Sequence, residues 1–280
     1  MKSLLCICLA LLILNGCSVE KRKNYIILVD NSISTREQYI ENYLRIVIDI
    51  IIPNLGIKDR ITIMMIDKNS YVNNERIWTL DLSDQKFENI SDGLINEQDS
   101  IRVRKARFLS DSLKKELVNT LQLSRLKRNS FSDFTDIINA INESRYSLIN
   151  KTNFNDTFEK IKNNAFGVNN YIYENCIIIL SDMINEDQEG EYNFRKSVYW
   201  DYESISDLVD NLSIVNKIPN LTNTKVFIHG ATSCKNMGRY SNKQIENIKI
   251  FWDLYFKKSR AQLIAYSYDT KQEINDYMKE

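Results

Sequence analysis

The chain has 280 residues, and its 37 Lys and Arg residues balance 37 Asp and Glu residues, so its formal net charge is zero. This balance argues against a protein that binds nucleic acid through bulk charge, and the 7 glycines and 2 prolines exclude collagen-like and low-complexity classes. The length suits one large domain or two small ones.

The N-terminal residues carry the pattern of an export signal. Lys2 precedes an apolar stretch at 4–14, which is shorter than the roughly 20 residues that a membrane-spanning helix needs. The sequence LNGC at its end, which includes Cys17, resembles the lipobox of bacterial lipoproteins. The resemblance implies a signal peptide over 1–16, a lipidated Cys17 with a short tether over 17–24, and a lipid-anchored protein of the bacterial cell envelope. An ordinary signal peptide that contains a Cys is the alternative.

Apolar runs and amphipathic stretches alternate along the rest of the chain. Buried strands are predicted at 25–29, 61–66, 76–82, 175–180, 225–229 and 261–265. Helices are predicted at 40–52, 101–123, 135–149, 204–215 and 241–258. This order predicts an α/β fold, in which a doubly wound, mostly parallel sheet carries helices on both faces. One domain over 25–270 and a C-terminal tail over 271–280 are expected.

Three further features of the sequence require interpretation. The stretch at 185–202 is interpreted as an insertion or long loop, and its aromatic side chains form either a partner surface or a satellite cluster beneath that loop. These side chains are Tyr192, Tyr199, Trp200 and Tyr202. His229, the only His, either lines a site or has a structural role at the end of a strand, and the second is favoured. The basic cluster at 102–107 is interpreted as a solvated helix face, so nucleic acid is not an expected partner.

Two cysteines follow Cys17 in the chain. Cys176 falls at the start of one predicted strand, and Cys234 falls just past the end of another. Because these positions are at opposite edges of a parallel sheet, their Cα atoms are expected to be farther apart than the 7 Å or so that a disulfide tolerates. Both are therefore predicted to be free thiols.

Polar side chains follow two of the predicted strands and open one predicted helix. They are Asp30, Ser32, Ser34, Thr135 and Asp182. In a parallel sheet, ligands bind outside the carboxyl ends of the strands, where Asp30 and Asp182 are expected. All five residues offer oxygen atoms, and none is a His or a thiolate, so the set suits a hard divalent cation such as Mg²⁺ or Mn²⁺. Two carboxylates balance the charge of such an ion, and an acidic group from a partner would suit the last coordination position.

This set resembles the metal-ion-dependent adhesion site of the von Willebrand factor A (vWA) family, whose pattern begins with Asp-x-Ser-x-Ser. The resemblance implies that Ser32 and Ser34 bind the metal directly and that Thr135 binds it directly or through water. It implies that Asp30 and Asp182 act mainly through water and hydrogen bonds. The family fold also has one antiparallel edge strand, which would be 76–82. Many family members have Gly at the positions of Ile33 and Met183.

The expected function is that of a non-enzymatic, membrane-tethered module that binds a protein partner through the cation and an acidic side chain of the partner. The sequence shows no Ser-His-Asp or Cys-His arrangement that would indicate an enzyme. One alternative is a Mg²⁺-dependent phosphoryl-transfer enzyme, which Ser32 disfavours because the haloacid-dehalogenase-like class needs a second Asp there. The other is a cell-envelope scaffold with an empty metal site.

Overall fold

The computed structural model describes residues 22–30, 37–56, 59–66, 77–81, 158, 173–185, 192–233 and 238–280. Several predicted features lie outside these residues and are not tested by the fold. They are the signal peptide, Cys17, Ser32, Ser34, the helices at 101–123 and 135–149 with Thr135, and Cys234.

The described residues form one six-stranded sheet with the order β3-β2-β1-β4-β5-β6. Its strands are β1 Arg22–Asp30, β2 Arg60–Ile66, β3 Ile77–Asp81, β4 Tyr173–Leu180, β5 Thr224–His229 and β6 Gln262–Ser267. β1 pairs in parallel with β2 and β4, and β4, β5 and β6 follow in parallel. At the edge, β3 pairs antiparallel with β2, and it lies within the segment predicted at 76–82. The predicted α/β fold with a mostly parallel sheet is confirmed.

The two central strands are apolar on both faces, as buried parallel strands usually are. In β1, Ile26 and Leu28 contribute to one core cluster, whereas Ile27 and Val29 contribute to a second cluster on the other face. The run 177–180 in β4 alternates between the same two clusters. The sheet therefore has a hydrophobic core on each side, and both cores need helices to cover them.

Helices cover both faces of the sheet. They are α1 Glu37–Ile46, which continues as a π-helical segment Val47–Ile51 and a final turn Ile52–Asn54, then α2 Tyr202–Ile214, α3 Asn242–Lys258 and α4 Lys271–Lys279. The buried side chains of α2 and α3 belong to the first core cluster, and those of α1 and α4 belong to the second. A capping box of Ser241 and Gln244 begins α3, in which the two residues satisfy each other's backbone N–H groups.

Both ends of the predicted domain differ from the structure. β1 begins at Arg22, so residues 22–24 of the expected tether belong to the sheet. The expected tail over 271–280 is largely the helix α4, whose Ile274, Tyr277 and Met278 are buried against the second core cluster. These three residues have the i, i+3, i+4 spacing of a helix face, but nine residues give too short a pattern to distinguish a helix from a polar tail.

The described residues of the segment 185–202 contribute several side chains to the core. Tyr192 is 3% exposed and Trp200 packs against the first core cluster, where a short 3-10 helix, Phe194–Tyr199, inserts a buried Phe194. The Asn247 side chain donates hydrogen bonds to two backbone oxygens of this segment. Its other two aromatic residues remain exposed, and they are Tyr199 and Tyr202. The aromatic set thus divides between core and surface, an outcome that neither interpretation of the sequence anticipated.

Candidate metal centre

The candidate site lies where the strand order reverses. The chain proceeds outward from β1 through β2 to β3 in one direction, and from β4 through β5 to β6 in the other. Helical connections that leave on opposite sides open a crevice at the carboxyl ends of the two central strands, and ligands of open α/β sheets bind in such crevices. β1 ends in Asp30, and β4 is followed directly by Ser181 and Asp182.

Asp30 is in direct contact with Ser181, the first residue after β4. Val29 is paired with Leu180, which brings the next residue of each strand together. The Ser181 hydroxyl donates a hydrogen bond of 2.6 Å to Oδ2 of Asp30. Both carboxylates are buried, since Asp30 is 0% and Asp182 is 3% exposed. Buried carboxylates require hydrogen bonds, a counter-charge or a metal ion, so this edge is chemically distinct from the apolar core below it.

The turn after β4 is held by its own side chains. The backbone N–H of Met183 donates to Oγ of Ser181 at 2.9 Å, and the N–H of Ile184 donates to Oδ1 of Asp182 at 3.0 Å. Asp and Ser commonly bond to the backbone two residues on in this way, which fixes the shape of a tight turn. One oxygen of each carboxylate is therefore held in place by a described hydrogen bond.

Met183 adopts a left-handed backbone conformation, with φ of 63°. Gly tolerates such a conformation without cost, whereas other residues lose about 1–2 kcal/mol. The Met183 side chain is fully buried, and its backbone oxygen accepts a hydrogen bond of 3.0 Å from Nε1 of Trp252. Burial and this hydrogen bond offset the strain, so Met183 keeps a turn shape that ordinarily suits Gly.

Tyr43 of α1 and Gly230 complete the described side of the site. The N–H of Ser181 donates to the backbone oxygen of His229, which places Gly230 beside the turn after β4. A Cβ atom at Gly230, where φ is 90°, would lie 2.1 Å from the Tyr43 hydroxyl oxygen. Only Gly therefore fits at this position. Burial, followed by the negative charges of Asp182 and Asp30, raises the pKa of the Tyr43 hydroxyl well above its ordinary value, so the hydroxyl remains neutral.

His229 has a structural role at the same edge. Its side chain is buried, and Nδ1 accepts a hydrogen bond of 3.1 Å from the backbone N–H of Thr270, at the start of α4. Burial lowers the pKa of His229 to about 4, and the nearby Asp269 carboxylate opposes only part of this change. The imidazole is therefore neutral at pH 7 and connects the end of β5 to the start of α4.

The structure brings together two of the five residues predicted for the metal site. Asp30 ends β1 and Asp182 lies two residues after the neighbouring β4, whereas Ser32, Ser34 and Thr135 lie outside the described residues. Within the described ranges, His, Cys, Asp and Glu side chains form no group of three or more that could hold a metal. The described part of the site therefore supplies two carboxylates, and hydroxyl ligands would have to complete it.

Tyr43 and Gly230 are not among the residues that the sequence predicts for the site. Tyr43 is recognisable in the sequence as part of the inward face of a helix, but nothing in the pattern indicates that its hydroxyl reaches a strand end. Gly230 offered a better signal, because it is one of only 7 glycines and directly follows a predicted strand.

Comparisons with known proteins assign no family to the chain. No protein-family model matches it, and a search of curated proteins found no match. Among the described residues, no helix has the length and apolar character that crossing a membrane requires. The likeness to the vWA family thus depends on the motif residues.

Proposed function

We propose that this chain is a non-enzymatic binding module, tethered to a membrane of the bacterial cell envelope, that engages an acidic side chain of a protein partner through a bound Mg²⁺ or Mn²⁺. The observation that carries the proposal is the burial of Asp30 and Asp182 at the carboxyl ends of two neighbouring strands, at the reversal of strand order where α/β sheets bind ligands. We further propose that the module belongs to the vWA family, a likeness supported by its motif residues and its antiparallel edge strand.

The chemistry of the donors suits a hard cation. Asp30, Ser32, Ser34, Thr135 and Asp182 would hold the ion, and all of them offer only oxygen atoms. Mg²⁺ and Mn²⁺ prefer such ligands, whereas Zn²⁺ and Cu²⁺ prefer imidazole and thiolate. The cation would supply a positive charge that a carboxylate of the partner can bind. The neighbouring His229 does not compete as a ligand through Nδ1, because that atom already accepts the Thr270 N–H.

The described residues favour binding over catalysis. His229 is buried and neutral, and Cys176 is a free thiol that is completely enclosed in β4. Burial also raises the pKa of the Cys176 thiol, which disfavours the reactive thiolate. Neither residue is therefore placed to act as a base or a nucleophile at the carboxyl edge. A phosphoryl-transfer enzyme remains the alternative that a phosphatase assay with Mg²⁺ addresses directly.

The proposed anchor would direct the site away from the membrane. β1 begins at Arg22, close to Cys17 in sequence, and ends at the candidate site with Asp30. Its 9 residues place these two ends about 26 Å apart at about 3.3 Å per residue. A lipid on Cys17 would therefore hold the amino edge of the sheet near the bilayer and leave the carboxyl edge open to a partner.

Partner capture from envelope extract, with Mg²⁺ and with EDTA, tests this function. The wild type is expected to retain a partner in Mg²⁺ and to release it in EDTA, and Asp182→Asn is expected to retain none in either condition. Asp207→Asn is the matched control, because Asp207 lies on the exposed side of α2. Capture by Asp182→Asn that persists in EDTA would exclude the metal-bridged mechanism and favour the scaffold with an empty metal site.

A further inference from the structure

The hydroxyl of Tyr43 is a buried polar group that the described residues leave unsatisfied. Tyr43 is 1% exposed, and its hydroxyl forms no hydrogen bond with any described residue. The Ser233 hydroxyl approaches closely enough to oppose part of the rise in the pKa of Tyr43, but the contact does not have hydrogen-bond geometry. Native proteins seldom leave a buried hydroxyl without a partner, because removal from water is then not compensated.

The Tyr43 hydroxyl lies close to the residues that are proposed to bind the cation. Its oxygen lies directly over Gly230, in the space that a side chain at this position would fill. The Tyr43 ring packs edge-on against the His229 ring, with 6.0 Å between the ring centroids. The Ser181 N–H donates to the backbone oxygen of His229, so the hydroxyl over Gly230 lies at the sheet edge that carries the turn with Asp182. The negative charges of Asp182 and Asp30 both contribute to the raised pKa of the hydroxyl, in agreement with this placement. A neutral O–H group is thus fixed beside the residues proposed to hold the cation.

We propose that Tyr43 is a positioning residue of the metal centre, whose hydroxyl donates a hydrogen bond to a water molecule in the cation's hydration shell. The inference rests on the function proposed above. Mg²⁺ usually retains several waters when it binds to proteins, and a carboxylate that acts through water needs that water to be oriented. Partners outside the direct ligands orient such groups, and their loss typically weakens metal binding by about 10- to 100-fold.

Gly230 has a defined part in this arrangement. Its φ of 90° favours Gly, and the absence of a side chain leaves room for the Tyr43 hydroxyl. A larger residue would have to displace Tyr43 from the edge of the sheet. The close approach of Tyr43 and Gly230 therefore fixes where the hydroxyl points.

Tyr43→Phe tests the proposal, because it removes the hydroxyl and retains the ring that packs in the core. Tyr39→Phe is the matched control, since Tyr39 lies one turn earlier on the same helix and is also buried. Calorimetric titration of the full chain with Mn²⁺ is expected to show an affinity about tenfold lower for Tyr43→Phe, and an unchanged affinity for Tyr39→Phe. Thermal unfolding in EDTA is expected to give a Tm for Tyr43→Phe that equals or exceeds that of the wild type, because the variant removes a buried hydroxyl that no described residue satisfies.

A spectroscopic measurement isolates Tyr43 from the other tyrosines. Mg²⁺ is expected to produce a tyrosine absorbance difference spectrum in the wild type and in Tyr39→Phe, and that spectrum should be absent in Tyr43→Phe. Equal Mn²⁺ affinity of Tyr43→Phe and wild type would overturn this inference and leave the proposed function intact. A lower Tm of Tyr43→Phe in EDTA would overturn it in favour of a structural role. A wild type that binds no Mn²⁺ would overturn both.

Discussion

Stability is expected to fall as His229 becomes protonated. Its folded-state pKa is lowered from 6.5 to about 4, so between these values the unfolded chain binds more protons than the folded one. Stability from the neutral imidazole is complete above pH 6.5 and is lost as the pH falls toward 4. The two pKa values differ by about 2.5, which corresponds to about 3.4 kcal/mol of unfolding free energy in full. About 2 kcal/mol of this unfolding free energy is lost by pH 5.

Denaturant unfolding at pH 7.5 and pH 5 measures this loss. Carboxyl groups can also titrate in this range and change the stability, so the loss in the wild type is compared with the loss in His229→Asn. Its side-chain oxygen can accept the Thr270 N–H in place of Nδ1, but the amide does not titrate. The wild type is expected to lose about 2 kcal/mol more than His229→Asn between the two pH values. Equal losses in the two proteins would refute the assignment of a buried, neutral His229.

Three further predictions concern the anchor, the thiol and the glycine. Cys17→Ser is expected to release the protein from membranes or to leave an unprocessed precursor, and a variant that fractionates and migrates like the wild type would contradict the lipobox interpretation. The Cys176 thiol is 0% exposed, so a thiol reagent should label it only after the protein is denatured, and no reductant should be needed. Rapid labelling of the folded protein would contradict its burial. Gly230→Ala should lower the Tm in EDTA, because its Cβ would lie 2.1 Å from the Tyr43 hydroxyl oxygen, and an unchanged Tm would refute that close approach.

The central strands were predictable because their residues are apolar on both faces. The run 177–180 has no alternation of polar and apolar residues, and Ser181 and Asp182 follow it directly. This pattern is typical of a buried parallel strand with a site at its carboxyl end. The proximity of Asp30 and Asp182 follows from the same rule, but only if β1 and β4 are neighbours. The sequence order alone does not show that adjacency, because it arises from the outward winding of both halves of the sheet.

The parts that sequence reasoning could not predict depend on tertiary contacts. The helix α4 shows only a short apolar face, and its Tyr277 hydroxyl bonds to Glu174 on β4, a contact between residues far apart in the chain. The orientation of the Tyr43 hydroxyl depends on the absence of a side chain at Gly230. Neither the packing of α4 nor the orientation of the Tyr43 hydroxyl has a signal in the neighbouring sequence, because each depends on contacts with residues far away in the chain.

The environment of Asp182 also changes how the metal centre should be tested. Binding residues at the ends of strands usually lie on loops outside the core, where a change such as Asp182→Ala would leave the fold intact. In the structure the side chain is 3% exposed and accepts the Ile184 N–H, so Ala would leave that donor without its acceptor, at a cost of about 1–3 kcal/mol. Asn retains an acceptor oxygen and removes only the charge, which makes it the suitable substitution.

Calorimetric titration with Mn²⁺ tests the central claim most directly. The proteins compared are the wild type, Asp30→Asn, Asp182→Asn and the control Asp207→Asn. The proposed metal centre predicts saturable binding by the wild type and the control, and strongly reduced binding by Asp30→Asn and Asp182→Asn, because each loses one of two charges that balance the ion. Equal Mn²⁺ binding by all four proteins, or binding by none of them, would contradict a metal centre formed by these two carboxylates.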